Sequence, residues 1–164
     1  MQDSENKPER AKEYLEERFG VKEEELEGLK LKEVSGDVWL KSVKGSGLEA
    51  ETFGIRAVRF MDIGLKPTTY VLQLLGDRIT EARVEVNEQE FRTLLEGDMI
   101  EREMGKQECS CEEPSDKDEE WNCCGRGYVA IVFEGEVYGC GFYMDELVSS
   151  RIPEGRADEL LGTL

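Results

Sequence analysis

The 164-residue sequence predicts an α+β protein with a small α/β subdomain followed by a mixed β-barrel with short helices. Apolar residues have helical spacing near the N-terminus and change to a period of two from Leu29 onward. From Gly127 the sequence is dominated by alternating and aromatic β-patterns. The length suits one domain, or two very small ones that share a core.

In the N-terminal third, we predict a helix over Pro8 to Phe19, stopped by Gly20, and one more helical turn over residues 22–27. The first helix has four apolar residues on one face: Ala11, Tyr14, Leu15 and Phe19. Alternation then predicts a hairpin of strands 29–34 and 38–43, followed by a strand over Thr52–Met61.

The middle of the chain predicts, in order, a turn over Gly64–Pro67, a helix over Thr68–Leu75, a strand over Ile79–Val86 and a helix capped by Asn87 that ends at Leu95. Residues 101–126 are dense in charge and almost free of apolar side chains, which predicts an insertion loop. The C-terminal part predicts three strands, in GYVAIVF, EVYGCGFYM and LVSSRIP, and a closing helix over Gly155–Leu164.

The formal net charge is −17, from 38 acidic and 21 basic residues, and this total disfavours nucleic acid as a partner. The charge is unevenly distributed, because residues 41–83 contain seven bases against five acids. A basic patch on an acidic body is therefore compatible with the sequence, whereas a uniformly basic protein is excluded.

We predict that the chain is not an enzyme. It has no histidine, which removes the commonest general base and metal ligand. It also lacks a G-x-G-x-x-G sequence and a Walker-type phosphate loop. No apolar run approaches the length of a membrane helix, and the N-terminus has no signal-peptide core, so we expect a cytoplasmic protein without a membrane partner.

Four cysteines lie in the charged insertion: Cys109, Cys111, Cys123 and Cys124. Three interpretations remain open: a zinc site, disulfides across the loop, or free thiols. The C-x-C and C-C spacings differ from the usual C-x₂-C knuckle, and zinc is the cofactor that a metal site in this loop would hold. The remaining Cys140 is expected to be a small buried hydrophobe, and Gly139 and Gly141 beside it to mark a tight barrel corner rather than a path for RNA backbone.

Several motifs in a fixed order resemble a known region: Lys66-Pro67-Thr68, Gly127-Tyr128-Val129, Glu134-Gly135, Gly139-Cys140-Gly141 and Arg151-Ile152-Pro153. The stretch from Gly64 onward is similar to the PUA-like RNA-binding domain at the C-terminus of NOL1/NOP2/Sun-family RNA cytosine-5 methyltransferases, and most similar to archaeal chains that carry this region alone. YLEERFGV and DVWLKSV are similar to the small subdomain that often precedes such modules.

The resemblance implies two regions: residues 1–62 as an N-terminal α/β subdomain, and residues 63–164 as a PUA-like RNA-binding domain with the Cys-rich insertion at about 101–126. It implies a non-catalytic module for structured RNA, tRNA or rRNA, that assists RNA modification. The cofactor loop and catalytic cysteines of the methyltransferase domain are absent from this sequence.

The predicted phosphate contacts are the bases Arg56, Arg59, Lys66, Arg78 and Arg83, since Arg and Lys bind phosphate by charge. Tyr70, Tyr128 and Tyr143 are candidates for stacking on bases, although tyrosines in such patterns are more often half-buried core residues. The full set of predicted RNA contacts is Arg56, Arg59, Lys66, Thr68, Arg78, Tyr128, Tyr143 and Arg151. DNA is not expected as a partner. The rival function is an acidic adaptor that docks a basic partner, such as a ribosomal protein or an RNA-modification enzyme.

Overall fold

A computed structural model describes residues 6–42, 54–62, 64–103 and 126–164. It has helices and two β-sheets, one of which curls into a half-barrel, and this confirms the predicted α+β, barrel-like class. The cysteines of the insertion and the predicted strand residues Val43, Thr52 and Phe53 lie outside the described residues.

The described part of the chain has four α-helices: α1 (Lys7–Phe19), α2 (Thr69–Leu75), α3 (Glu88–Leu95) and α4 (Glu154–Leu161). Two 3₁₀ turns cover Glu23–Leu26 and Gly76–Arg78. The strands are β1 (Leu29–Val34), β2 (Asp37–Ser42), β3 (Ile55–Met61), β4 (Gly64–Pro67), β5 (Arg83–Val86), β6 (Ile100–Glu101), β7 (Gly127–Phe133), β8 (Glu136–Met144) and β9 (Leu147–Ser150). None of the described helices is long and apolar enough to cross a membrane.

Helix α1 forms where its sequence pattern predicts. The Asn6 side chain accepts from the N–H of Glu9, Pro8 occupies the first turn, and Gly20 ends the helix with a left-handed φ of 68°. The predicted apolar face is buried: Ala11, Tyr14, Leu15 and Phe19. The helix packs on β1 and β2, so this face joins the common core.

The first sheet is an antiparallel meander in the order β1-β2-β3-β4. The predicted turn over Gly64–Pro67 is instead its edge strand, which pairs with β3 from Met61↔Gly64 to Val58↔Pro67. A proline is tolerated there because an edge strand leaves one side of its backbone unpaired. The predicted domain boundary at residues 62/63 falls between these two paired strands, and the division itself stays a prediction.

The second sheet has the order β5-β7-β8-β9-β6. Strands β5 and β7 are parallel, and the other neighbours are antiparallel. The strand predicted over Ile79–Val86 begins only at Arg83. Before it, the N–H groups of Thr80 and Glu81 donate to the carbonyl of Phe19, and Ala82 has a φ of 51°. The contact with the end of α1 replaces strand pairing there, which local alternation does not reveal.

Candidate functional site

A pocket of about 490 Å³ opens where the first sheet, the start of α2 and the second sheet meet. Its walls are formed by Trp39, Ile55, Arg56, Arg59, Lys66, Pro67, Thr68, Thr69, Tyr70, Cys140, Arg151 and Pro153. Four of these side chains are cationic, in a chain whose net charge is −17. The folding of distant segments therefore concentrates positive charge at one place on an acidic protein.

A β-bulge in β3 aligns two of the cations. Trp39 is paired with Arg56 and Val38 with Val58, so Ala57 is an extra residue in β3. On a regular strand, the side chains of residues three apart point to opposite faces of the sheet. One extra residue between them brings both side chains to the same face. Arg56 and Arg59 consequently both line the pocket.

The third cation comes from the neighbouring strand. Lys66 of β4 lies directly opposite Arg59 of β3 in the antiparallel register, so their side chains project from the same face of the sheet. The Lys66 Nζ lies 5.9 Å from the centre of the Tyr128 ring, within cation–π range.

Hydrogen bonds made by two consecutive threonines at the start of α2 join the two sheets at the pocket. The Thr68 hydroxyl caps α2 by accepting from the N–H of Val71, and it donates to the carbonyl of Arg56. The buried Thr69 hydroxyl accepts from the N–H of Cys140 at 3.2 Å. These bonds fix α2 between β3 and β8 and thereby hold the two halves of the pocket together.

Hydrogen bonding through Cys140 continues to the fourth cation. The N–H of Arg151, just beyond β9, donates to the carbonyl of Cys140 at 2.7 Å. Its guanidinium lies 5.5 Å from the centre of the Phe142 ring. The backbone of Arg151 is therefore fixed, while its side chain remains exposed at the pocket.

The four cations differ in their pairing. Arg56 forms an ion pair with Asp37 at 3.5 Å and lies 5.3 Å from the centre of the Trp39 ring. Within the described residues, no carboxylate lies within 4.0 Å of the cationic groups of Arg59, Lys66 or Arg151. Those three cations can therefore bind an anion without first releasing an acidic partner from that part of the chain.

Cys140 is one of the residues that line the pocket, and its side chain is buried. Burial raises the pKa of its thiol to about 12, although Lys66, Arg151 and Arg18 act in the opposite direction. The thiol is neutral at physiological pH and has no nucleophilic thiolate to offer. This agrees with the expectation that Cys140 is a small buried hydrophobe.

The raised pKa of Cys140 predicts an alkaline loss of stability. An unfolded thiol ionises near pH 8.5, so the stability linked to Cys140 is fully present below that pH and is lost between about 8.5 and 12. From pH 8 to pH 10, we expect the free energy of unfolding of the wild type to fall by about 1–2 kcal/mol more than that of Cys140→Ala. Urea unfolding under reducing conditions at both pH values measures this difference, and parallel pH profiles would contradict it.

The structure brings together five of the eight predicted contact residues: Arg56, Arg59, Lys66, Thr68 and Arg151. Tyr128 is half-buried beside Lys66, and Arg78 is exposed but does not line the pocket. Tyr143 is only 6% exposed, which leaves its ring no surface on which a base can stack. The additional candidate Arg83 donates to the carbonyl of Ile79 and is also outside the pocket.

Trp39 is an aromatic pocket residue that the sequence does not predict as a contact, whereas Tyr70, a predicted candidate for stacking, lines the pocket. The signal for Trp39 is its pairing with Arg56 across β2 and β3, which requires knowledge of the bulged register. Gly139 and Gly141 are buried, so RNA backbone has no room to pass over them.

Among the described residues, no group of three acidic or cysteine side chains is placed to hold a metal ion, and the four insertion cysteines lie outside that part of the chain. The zinc, disulfide and free-thiol alternatives therefore remain predictions. No protein-family model matches the chain, and no curated protein matches its sequence.

Proposed function

We propose that this chain is a non-catalytic RNA-binding module whose basic pocket contacts the RNA backbone. The observation that carries the proposal is the convergence of Arg56, Arg59, Lys66 and Arg151 on one pocket of a strongly acidic chain. Structured RNA of the tRNA or rRNA class is the proposed ligand, on the basis of the resemblance to PUA-like domains.

The side chains suit phosphate in different ways. A guanidinium presents a planar fork that matches two phosphate oxygens, whereas a lysine ammonium acts as a compact charge. Arg59, Lys66 and Arg151 provide both kinds of group without a paired carboxylate in the described residues. Arg56, already paired with Asp37 and close to Trp39, is suited to shaping the pocket wall.

The acidic remainder of the chain supports a localised mode of binding. The exposed side of α1 and the turn after it present Glu13, Glu16, Glu17, Glu23 and Glu24. Such surfaces repel the phosphate backbone, so RNA is restricted to the basic pocket and weak binding over the whole surface is suppressed.

A filter-binding titration of the wild-type protein with total tRNA over a range of salt concentrations tests the proposal. Binding through two or three phosphates predicts that log K falls against log salt with a slope between about −1.4 and −2.7. No measurable binding at low salt would overturn the proposal.

The same acidic surface favours a second candidate, the protein–protein adaptor. Its glutamates on and after α1 offer a docking face for a basic partner such as a ribosomal protein or an RNA-modification enzyme. The adaptor function predicts that reversing charges on α1, for example Glu13→Lys with Glu17→Lys, abolishes partner capture. RNA binding through the pocket would survive that change.

A further inference from the structure

We propose that the pocket takes one unpaired nucleotide, with its base on an aromatic wall formed by Trp39 and Tyr70 and its flanking phosphates on Arg59, Lys66 and Arg151. This inference rests on the proposed function and adds the form of RNA that the site selects. It requires that the pocket recognise a base as well as a charge.

Tyr70 is the first observation. It lies in the first turn of α2 and lines the pocket, yet 53% of its surface is exposed. Its neighbours Thr69 and Val71 are buried, so the backbone that carries the exposed ring is anchored. An exposed tyrosine on an anchored backbone offers a stacking surface at a low cost in conformational entropy.

Trp39 is the second observation. Its ring lines the same pocket and is held beside Arg56, which is in turn held by Asp37. Aromatic rings and guanidinium planes are the groups on which proteins stack unpaired bases. A phosphate-binding patch alone needs no aromatic wall, whereas a nucleotide site needs both features.

The size of the pocket is the third observation. Its volume of about 490 Å³ is within the range of roughly 300–1,000 Å³ typical of small-ligand sites. A duplex keeps its bases paired and stacked inside the helix, so it cannot place a base in such a space. A single nucleotide turned out of a loop, bulge or strand end is of the right scale.

Tryptophan fluorescence tests base recognition directly. The chain has two tryptophans, so Trp121→Phe leaves Trp39 as the only reporter. We expect adenosine 5′-monophosphate to quench the fluorescence of Trp39. Its affinity for the protein should be at least 10-fold higher than that of adenosine or inorganic phosphate. Equal affinities for the mononucleotide and inorganic phosphate would overturn the inference.

Substitution of Tyr70 tests the aromatic wall in RNA binding. Loss of one base stack, about 1–3 kcal/mol, predicts that Tyr70→Leu weakens binding of an unpaired RNA hexamer about 5- to 150-fold. Tyr70→Phe should stay within about twofold, because the stacking ring is retained. Leu74→Ala is the matched control, since Leu74 is 49% exposed on the same helix and does not line the pocket.

The outcomes separate this inference from the proposed function. The inference fails if Tyr70→Leu binds the hexamer as the wild type does, or if a blunt RNA duplex competes equally with the hexamer. Either result would mean that the pocket recognises phosphate but not the base. The proposed function stands in that case. If the wild type binds neither hexamer nor tRNA, the proposed function fails and the inference fails with it.

Discussion

Replacing Arg59 and Lys66 together by glutamate is expected to weaken tRNA binding about 100-fold or more. Each hydrogen-bonded contact to a charged group contributes about 1.5–3 kcal/mol, so loss of two removes about 3–6 kcal/mol before the new repulsion is counted. Neither residue has an ion-pair partner within the described residues, and Arg59 is exposed, so the fold should be retained. Filter binding at one salt concentration measures the loss, and circular dichroism checks the fold.

The matched control is the double variant Arg78→Glu with Arg92→Glu, which changes the net charge by the same amount. Neither residue lines the pocket; Arg78 is exposed, and Arg92 forms a surface ion pair with Glu88 at 3.4 Å. This variant should bind tRNA within about threefold of the wild type, allowing for its long-range charge. Equal losses in both variants would show diffuse attraction rather than a site.

The second large effect concerns Gly139, which sits in β8 where that strand packs against α2. A Cβ at this position would lie 2.5 Å from Cγ1 of Ile152 and 3.1 Å from Cγ2 of Thr69. Cγ1 of Ile152 is near the root of a buried side chain and cannot swing away freely. Gly139→Ala should therefore lower the free energy of unfolding by about 1–3 kcal/mol, the usual cost of overpacking. Urea denaturation measures this change.

Gly155→Ala is the control for Gly139→Ala. Gly155 lies in the first turn of α4, and an added Cβ would meet nothing within 4 Å. The substitution should stabilise the protein by about 0.4–1 kcal/mol, because alanine restricts the unfolded chain and favours the helix. A stable Gly139→Ala variant would mean that β8 and α2 are not packed as described.

The local elements were predictable because their signals are carried by neighbouring residues. Capping by Asn87, the helix stop at Gly20, and the alternation in β1 and β2 all depend on short segments. The general α+β class followed from these segments alone. The helix α3, for example, has the predicted capping box between Asn87 and Glu90.

The candidate pocket was only partly predictable, because long-range register decides which cations meet. The bulge at Ala57 brings Arg56 to the same side as Arg59, and pairing of β3 with β4 places Lys66 opposite Arg59. Arg151 joins them because β9 pairs with β8 and the Thr69–Cys140 hydrogen bond ties β8 to α2, across more than 80 positions of sequence. No local pattern encodes such contacts.

The burial of the tyrosines was also not predictable from local sequence. Alternation in β8 cannot tell which face of the strand is covered, and the extra residue Tyr138 opposite β7 shifts the register within the strand. Tyr143 falls in the core, whereas Tyr70, on the short α2, remains exposed at the pocket. Burial by other segments, rather than residue type, separates the two.

The salt dependence of tRNA binding in single neutralised variants is the most direct test of the basic pocket as the RNA site. A cation that contacts phosphate contributes up to about 0.9 to the slope of log K against log salt. Arg59→Gln, Lys66→Gln and Arg151→Gln should each reduce the slope by up to that amount, whereas Arg78→Gln should leave it unchanged. Unaltered slopes in all three pocket variants would contradict the account, because RNA would then be bound elsewhere on the protein.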